Sequence, residues 1–245
     1  MIRAVIIDDE RLARVELRRL LSAHDEVEII GEAAHIAEAL EVIEHLQPDL
    51  IFLDIQMPGG SGFDLLAQLD LAPQVIFTTA FDTYAIKAFE VNALDYLQKP
   101  IEPARLRAAL DRALLQFKKT TSLQLTAPQP KHGNDRIFIK DGERCWFVSL
   151  ADIMLFESEG NYARVYFVTA QQTQRPLMLR SLNQLAERLD ASQFFRANRR
   201  QIVNLQFIES VAPTDSGGLT LLMKDDLRIP LSRRRAMEFR ELSTI

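Results

Sequence analysis

The chain has almost nothing with which to brace itself covalently. One cysteine, Cys145, among 245 residues excludes an internal disulfide framework and fits a reducing compartment. No basic segment followed by a short apolar stretch opens the chain, which points away from secretion. No stretch approaches the roughly 18 consecutive apolar residues of a membrane-spanning helix, so membrane insertion is not expected and the location is read as cytoplasmic. His24, His35, His45 and His132 show no metal-ligand spacing and are assigned no chemistry. Long internal repeats and low-complexity tracts are also missing.

The composition, 47% hydrophobic and 26% charged, is that of a globular protein, and the length suits two medium domains. The net charge of −5 is unevenly divided. Residues 1–119 carry 12 Lys/Arg and 20 Asp/Glu (12 − 20 = −8), and 120–245 carry 17 and 14 (17 − 14 = +3).

Up to residue 119, short apolar runs ("RAVIID", "VEIIGEA", "LIFLD", "QVIFTTA", "DYLQKP") alternate with stretches apolar at helical spacing, such as Ala13, Leu17, Leu20 and Leu21. Near-continuous Val/Ile/Phe runs suit strands covered on both faces. The expected fold is therefore an α/β doubly wound, five-stranded parallel sheet. From Thr120 to Asn134 periodicity fades and Thr, Pro, Gly and Asn gather, which predicts a linker over 120–134. Residues 135–245 then show short strand-like runs and two helical stretches, "SLNQLAERLD" and "RRRAMEFREL", predicting a mainly β domain. Cys145 and Trp146 fall within a strand pattern and are expected to be buried.

In a doubly wound sheet a site forms at the carboxyl ends of the strands. Asp8 and Asp9 follow the first strand and Asp54 ends the third, so three like charges converge. At an effective dielectric of about 20, two charges about 4 Å apart repel by about 4 kcal/mol, so the cluster needs protons or a cation. Oxygen ligands alone select a hard ion, best matched by Mg2+. Thr78 and Thr79 add hydroxyls, and Lys99 an ammonium suited to a phosphoryl oxygen. Carboxylate, metal, hydroxyl and ammonium together suit phosphoryl transfer.

These motifs, "DDE" at 8–10, "DIQMPGGSG" at 54–62, "TTA" at 78–80 and "KP" at 99–100, make residues 1–119 resemble the CheY-like receiver domains of two-component response regulators. The resemblance implies that Asp54 is the phosphoacceptor and that Asp8, Asp9, Asp54 and the backbone carbonyl of Gln56 hold Mg2+. It also implies that Thr79 and Lys99 engage the phosphoryl group and that the Lys99–Pro100 bond is cis. Tyr96 is then either the aromatic switch residue or an ordinary half-buried strand tyrosine. A sensor histidine kinase is the implied phosphodonor. Activation implies a homodimer through the face bearing "AFEVNALDYLQKP" at 88–100.

The basic residues of the second half cluster in "FFRANRRQIVN" at 194–204 and "PLSRRRAMEF" at 230–239. Arg196, Asn198, Arg199 and Arg200 lie between apolar anchors, and Arg233, Arg234 and Arg235 open a helix that Ser232 can cap. Arginines at a helix N-terminus oppose the macrodipole by about 0.3–1 kcal/mol each, which a bound phosphate would offset. Through "FESEGNYARVYF", "FFRANRRQIVNL" and "IPLSRRR", residues 135–242 resemble the LytTR DNA-binding family. That resemblance implies a mainly β, elongated domain on double-stranded promoter DNA, with direct repeats, contacted by Asn161, Tyr162, Arg196, Asn198, Arg199, Arg200 and Arg233 to Arg235. Asn161 is equally readable as a turn residue after Gly160. Asn198-Arg199-Arg200 stands where the family often has His-Arg-Ser, which leaves base preference there open. The expectation is a response regulator that alters transcription and is not an enzyme. A phosphorylation-gated module with an acidic protein partner is the alternative, and a phosphatase is disfavoured because no second catalytic lobe is evident.

Overall fold

Five apolar runs of the first half become strands: β1 (Ile2–Ile7), β2 (Val27–Ala33), β3 (Leu50–Asp54), β4 (Gln74–Thr79) and β5 (Asp95–Gln98). The computed structural model describes residues 1–80, 93–124, 136–142, 144–169, 172–215 and 217–242, apart from the side chains of 119–124. The five strands form one parallel sheet in the order β2-β1-β3-β4-β5. Along β1 the side chains alternate between two apolar layers. Val5 and Ile7 meet α2 (Ile36–Leu46) and α3 (Gly62–Gln68), whereas Ala4 and Ile6 meet α1 (Arg11–Leu21) and α4 (Pro103–Gln124). Both faces are covered, so all five residues of β3 are buried and the strand reads as an unbroken apolar run before its aspartate.

Strand order reverses beside β1, and the register then sets the neighbours at the carboxyl edge. Ile7 pairs with Leu53, so Asp8 follows next to Asp54. Asp54 pairs with Thr78, and Thr79 with Gln98, so Lys99 emerges beside Thr79.

Helix α4 runs to Gln124, so the linker expected from Thr120 begins as helix; of that stretch, residues 125–134 lie outside the described residues. Each added helical residue gains a backbone hydrogen bond, which outweighs the modest β-branched penalty of Thr120 and Thr121.

A second departure concerns the hairpin of β6 (Arg136–Asp141) and β7 (Arg144–Ser149), which was expected in the second domain. Its residues up to Phe147 belong by their contacts to the first compact unit. Phe138 stacks 6.3 Å from Phe63 of α3, the Ala72 amide donates to the Arg136 carbonyl at 2.9 Å, and Lys140 pairs with Asp64. Phe138 and Phe147 thus bury apolar area that a lone two-stranded hairpin would leave wet. On the outer part of the same strand Cys145 and Trp146 are only half-buried, not buried as expected.

The second unit is mainly β. Strands β8 (Ile153–Glu159), β9 (Tyr162–Val168), β10 (Phe194–Arg196) and β11 (Gln201–Asn204) form an antiparallel sheet in the order β9-β8-β11-β10, extended at β9 by two-residue strands. Strands β12 (Ile208–Pro213), β13 (Leu219–Met223) and β14 (Leu227–Leu231) form a three-stranded meander. Helix α5 (Leu182–Arg188) precedes β10, and α6 (Arg233–Leu242) follows β14. Phe239 of α6 meets Phe195 edge-on at 5.5 Å, which fixes the start of α6 near the loop between β10 and β11. Among the described residues no helix is long and apolar enough to cross a membrane.

Candidate functional site

The sheet edge gathers the predicted acidic cluster. Carboxylate oxygens of Asp8, Asp9 and Asp54 all lie within 4.8 Å of one another. Asp8 and Asp54 are 3% and 6% exposed, so water screens their repulsion poorly. A cation already stands between these two: the Lys99 ammonium is 2.7 Å from Asp8 Oδ2 and 2.7 Å from Asp54 Oδ2. The remaining oxygens are held by backbone, with the Glu10 amide on Asp8 Oδ1 at 3.0 Å and the Gln56 amide on Asp54 Oδ1 at 3.2 Å.

Burial pushes the Asp8 carboxyl above its ordinary range, against the pull of Lys99. Burial would lower the Lys99 pKa, but its bonds to Asp54 and Asp8 outweigh this and hold it above the usual lysine value. The ammonium therefore stays charged at neutral pH.

A cleft of about 650 Å³ opens over these groups, lined also by Thr78, Thr79, Gln56 and Met57. Thr78 and Thr79 are buried at the end of β4. The Lys99–Pro100 peptide bond is cis, as the resemblance implied. Behind Asp54 the chain is closely packed: a Cβ on Gly62 would fall 2.5 Å from the Asp54 carbonyl oxygen, so only glycine fits there. Ser61 and Asp64 form a reciprocal cap that starts α3 at that point. This cap and Gly62 were missed as positioning features, although "SGFD" carries a weak capping signature.

Tyr96 lies on β5 and is 8% exposed, packed in the layer that contains Phe63 and Phe77. Of the stretch 88–100 expected to form a dimer face, residues 88–92 lie outside the described residues. On the rest, buried Asp95 is paired within the chain to Arg105 and Arg112.

The donor set fits a hard divalent cation: three converging carboxylates, no nitrogen or sulfur ligand among them, and one lysine that pairs with two of them but offsets a single charge, so negative charge is left over for a cation to answer.

The second unit brings the basic segments together. The loop 197–200 is tied to β14 by Asn198 Nδ2, which donates to the Pro230 carbonyl at 3.3 Å, two residues before Ser232. Ser232 Oγ accepts from the Arg235 amide at 3.4 Å, so the expected cap is present. Arg199, Arg200, Arg233 and Arg234 are exposed, as are Asn161 and Tyr162 at the β8–β9 turn. Gly160 takes a φ of +63° in that turn.

Arg196, Asn198 and Arg235 behave differently, because their polar groups are engaged by the protein itself. Arg196 donates to the carbonyls of Leu182 and Arg199, both at 3.2 Å, and to Asn183 Oδ1 at 2.9 Å. Arg235 lies over the Phe195 ring at 5.2 Å and pairs with Glu238. Glu238 also pairs with Arg234, so part of the charge opposing the macrodipole is offset within α6.

Comparison with known proteins finds a different family in each half of the chain. The model of the response regulator receiver domain matches residues 4–111, and that of the LytTr DNA-binding domain matches residues 143–244. An uncharacterized response regulatory protein of Vibrio cholerae is 36% identical over 248 residues, covering 99% of this chain and 98% of that one. The transcriptional regulatory protein BtsR of Salmonella typhi is 36% identical over 251 residues, covering 98% of each chain. The sensory transduction protein LytT of Enterococcus faecalis is 35% identical over 240 residues, covering 97% of each. With two-domain relatives of this identity matched over nearly their whole length, the chain belongs to the response regulators that join a receiver domain to a LytTR DNA-binding domain.

Proposed function

We propose that a sensor histidine kinase phosphorylates Asp54 and that this switches the protein's binding to promoter DNA in the cytoplasm, altering transcription. The residues through the end of α4 serve as the receiver, with the β6–β7 hairpin packed on it, and the strands and helices after that hairpin serve as the DNA-binding domain. The observation that carries the reading is the convergence of Asp8, Asp9 and Asp54 on one sheet edge, with Lys99 bridging Asp8 and Asp54.

Asp8, Asp9, Asp54 and the Gln56 backbone carbonyl would hold Mg2+. The ion, when bound, supplies charge neutralisation for the phosphoryl oxygens. An Asp54 oxygen attacks phosphorus as the bond from phosphorus to the donor nitrogen breaks, and the Gln56 amide on Asp54 Oδ1 steadies the carboxylate for that approach. Phosphorylation removes the carboxylate charge that Lys99 holds at 2.7 Å, so the ammonium follows the negative charge onto a phosphoryl oxygen. The Thr79 hydroxyl closes on another oxygen. Tyr96, in the layer that continues from β4, is the side chain through which that closure alters the receiver surface. Receivers then pair as a homodimer, which places two DNA-binding domains on direct repeats.

On the duplex, Arg233 and Arg234 meet phosphate at the start of α6, and Arg199 and Arg200 reach base edges, with Asn161 and Tyr162 at a neighbouring position. Incubation of the full chain with a radiolabelled acyl phosphate tests the chemistry. Labelling is expected with Mg2+, to be lost in Asp54→Ala and weakened in Asp9→Ala. Undiminished labelling of Asp54→Ala would remove Asp54 from this role.

A further inference from the structure

Resting on the DNA-binding reading above, we infer that Asn198 and Arg196 are positioning residues, and that a hydrogen-bonded relay from Tyr166 sets the loop from which Arg199 and Arg200 read the duplex. The relay crosses the sheet side chain by side chain. Tyr166 Oη donates to Glu157 Oε2 at 2.8 Å, and Gln201 Nε2 donates to Glu157 Oε1 at 3.0 Å. Asn198 Nδ2 donates to Gln201 Oε1 at 2.9 Å, and Asn198 Oδ1 accepts from the Arg200 amide at 2.9 Å.

An asparagine amide has two donor hydrogens and an acceptor oxygen. In Asn198 both hydrogens are in use, on Gln201 and on the Pro230 carbonyl, and the oxygen holds Arg200. Bidentate reading of adenine needs one of those hydrogens and that oxygen at once. It would therefore break one of the two donor bonds, on Gln201 or on the Pro230 carbonyl, that give the loop its shape. Asn198 is spent on the loop, although by residue type it is a natural reader of adenine.

Arg196 closes the other side. Its guanidinium holds the Arg199 carbonyl and anchors to α5 through Leu182 and Asn183. The Arg200 carbonyl accepts from the Ser158 amide at 2.8 Å, and the Ala197 amide donates to the Gln201 carbonyl at 3.0 Å. With the backbone of 197–200 fixed at these points, the exposed side chains of Arg199 and Arg200 are what the loop offers outward. Preorganisation of this kind lowers the ordering cost of binding and favours one set of base edges over others.

The test uses the full chain with Gln201→Met, Asn198→Asp and Tyr166→Phe, none of which removes a positive charge. The probes are the tightest duplex recovered by selection from a random-sequence library and a scrambled duplex of equal length. Gln201→Met is expected to reduce the affinity ratio between them about tenfold, the scale of one base-pair preference. The salt slope should not change, because no phosphate contact is lost. In the unbound protein the Arg200 amide should exchange its hydrogen about tenfold faster. Tyr166→Phe removes one oxygen at the far end and should act in the same direction, so the test survives if Gln201→Met melts early. The inference is overturned if Gln201→Met and Tyr166→Phe leave both the ratio and the Arg200 amide unchanged, or if Asn198→Asp alters preference at a single base pair only. Unsubstituted protein that prefers no duplex would instead defeat the DNA reading itself and the inference with it, a failure visible before any variant is made.

Discussion

Replacing Lys99 by methionine keeps an unbranched side chain one atom shorter and deletes the charge that separates two buried carboxylates. Oxygens of the acidic cluster lie within 4.8 Å of one another, a separation at which two unit charges repel by about 3.5 kcal/mol at an effective dielectric of about 20. The Lys99 side chain is 17% exposed and those of Asp8 and Asp54 less, so solvent screening removes little of this. Breaking a buried pair by deleting one partner costs about 3–5 kcal/mol in general, which brackets the same figure. Lys99→Met should therefore lose about 3 kcal/mol in urea unfolding at pH 7 with chelator present. Trp146, the single tryptophan, lies in the hairpin of the first unit and reports its unfolding by fluorescence. Two controls identify the cause. Adding Asp54→Asn should restore most of the loss, a coupling of opposite sign to the single effects. Millimolar Mg2+ should stabilise Lys99→Met more than the unsubstituted chain, because the ion then answers a repulsion that lysine no longer does. If Lys99→Met matches the unsubstituted chain to within about 0.5 kcal/mol in chelator and responds equally to Mg2+, the carboxylates do not repel at this strength.

The Asp64 carboxyl is held at about 2 by its bond to Lys140 and then by Ser61, against an ordinary value of 3.8. Its contribution to stability is complete above that ordinary value and is lost as pH falls toward 2; with the side chain 42% exposed, screening keeps it below about 1 kcal/mol. The gap between the urea midpoints of Asp64→Asn and the unsubstituted chain should thus hold steady above about pH 5 and close as pH falls from about 4 toward 2, and a gap that stays constant down to about pH 2 would refute the assignment. Arg233→Ala and Arg234→Ala should weaken specific and scrambled duplexes alike and reduce the log–log salt slope by about 0.9 each; loss confined to one base pair would contradict a phosphate role. Sedimentation with a non-hydrolysable acyl-phosphate mimic should show mass rising toward a dimer, and unchanged mass over a wide concentration range would remove pairing from the switch.

The receiver chemistry was legible because it depends on strand ends. A parallel strand buried on both faces reads as an apolar run, and whatever polar residue stops that run stands at the carboxyl edge, so Asp8, Asp54, Thr79 and Lys99 could be placed together. The same logic left gaps where local pattern and burial part company. Strand β12 is exposed along nearly its whole length, so no alternation marked it. Helix α4 continued past Thr120 on backbone hydrogen bonding, which has no side-chain signature. The hairpin of β6 and β7 had a readable strand pattern, but which unit it would join depends on the match of Phe138 to Phe63, a tertiary fact absent from either segment alone.

The basic segments show a deeper limit. Arginine has five N–H donors in a fixed fork, and backbone carbonyls can accept from that fork just as phosphate oxygens can. Residue type and clustering therefore cannot separate an arginine that grips DNA from one that grips its own loop. Arg196 and Arg199 are three residues apart, yet the first has its guanidinium on Leu182, Asn183 and the Arg199 carbonyl, while the second is exposed. What distinguishes them is position along the strand. Arg196 is the last residue of β10, paired with Ile202, so its side chain leaves a regular element toward α5; Arg199 comes after the ladder has ended. A basic cluster flanked by apolar strand ends is thus best read from its edges inward: arginines still on the ladder build the loop, and those beyond it are free to meet a ligand. In α6 all three arginines belong to one element, so contact decides instead: Arg235, stacked on Phe195 and paired with Glu238, joins the framework, while Arg233 and Arg234 stay exposed although Arg234 shares Glu238.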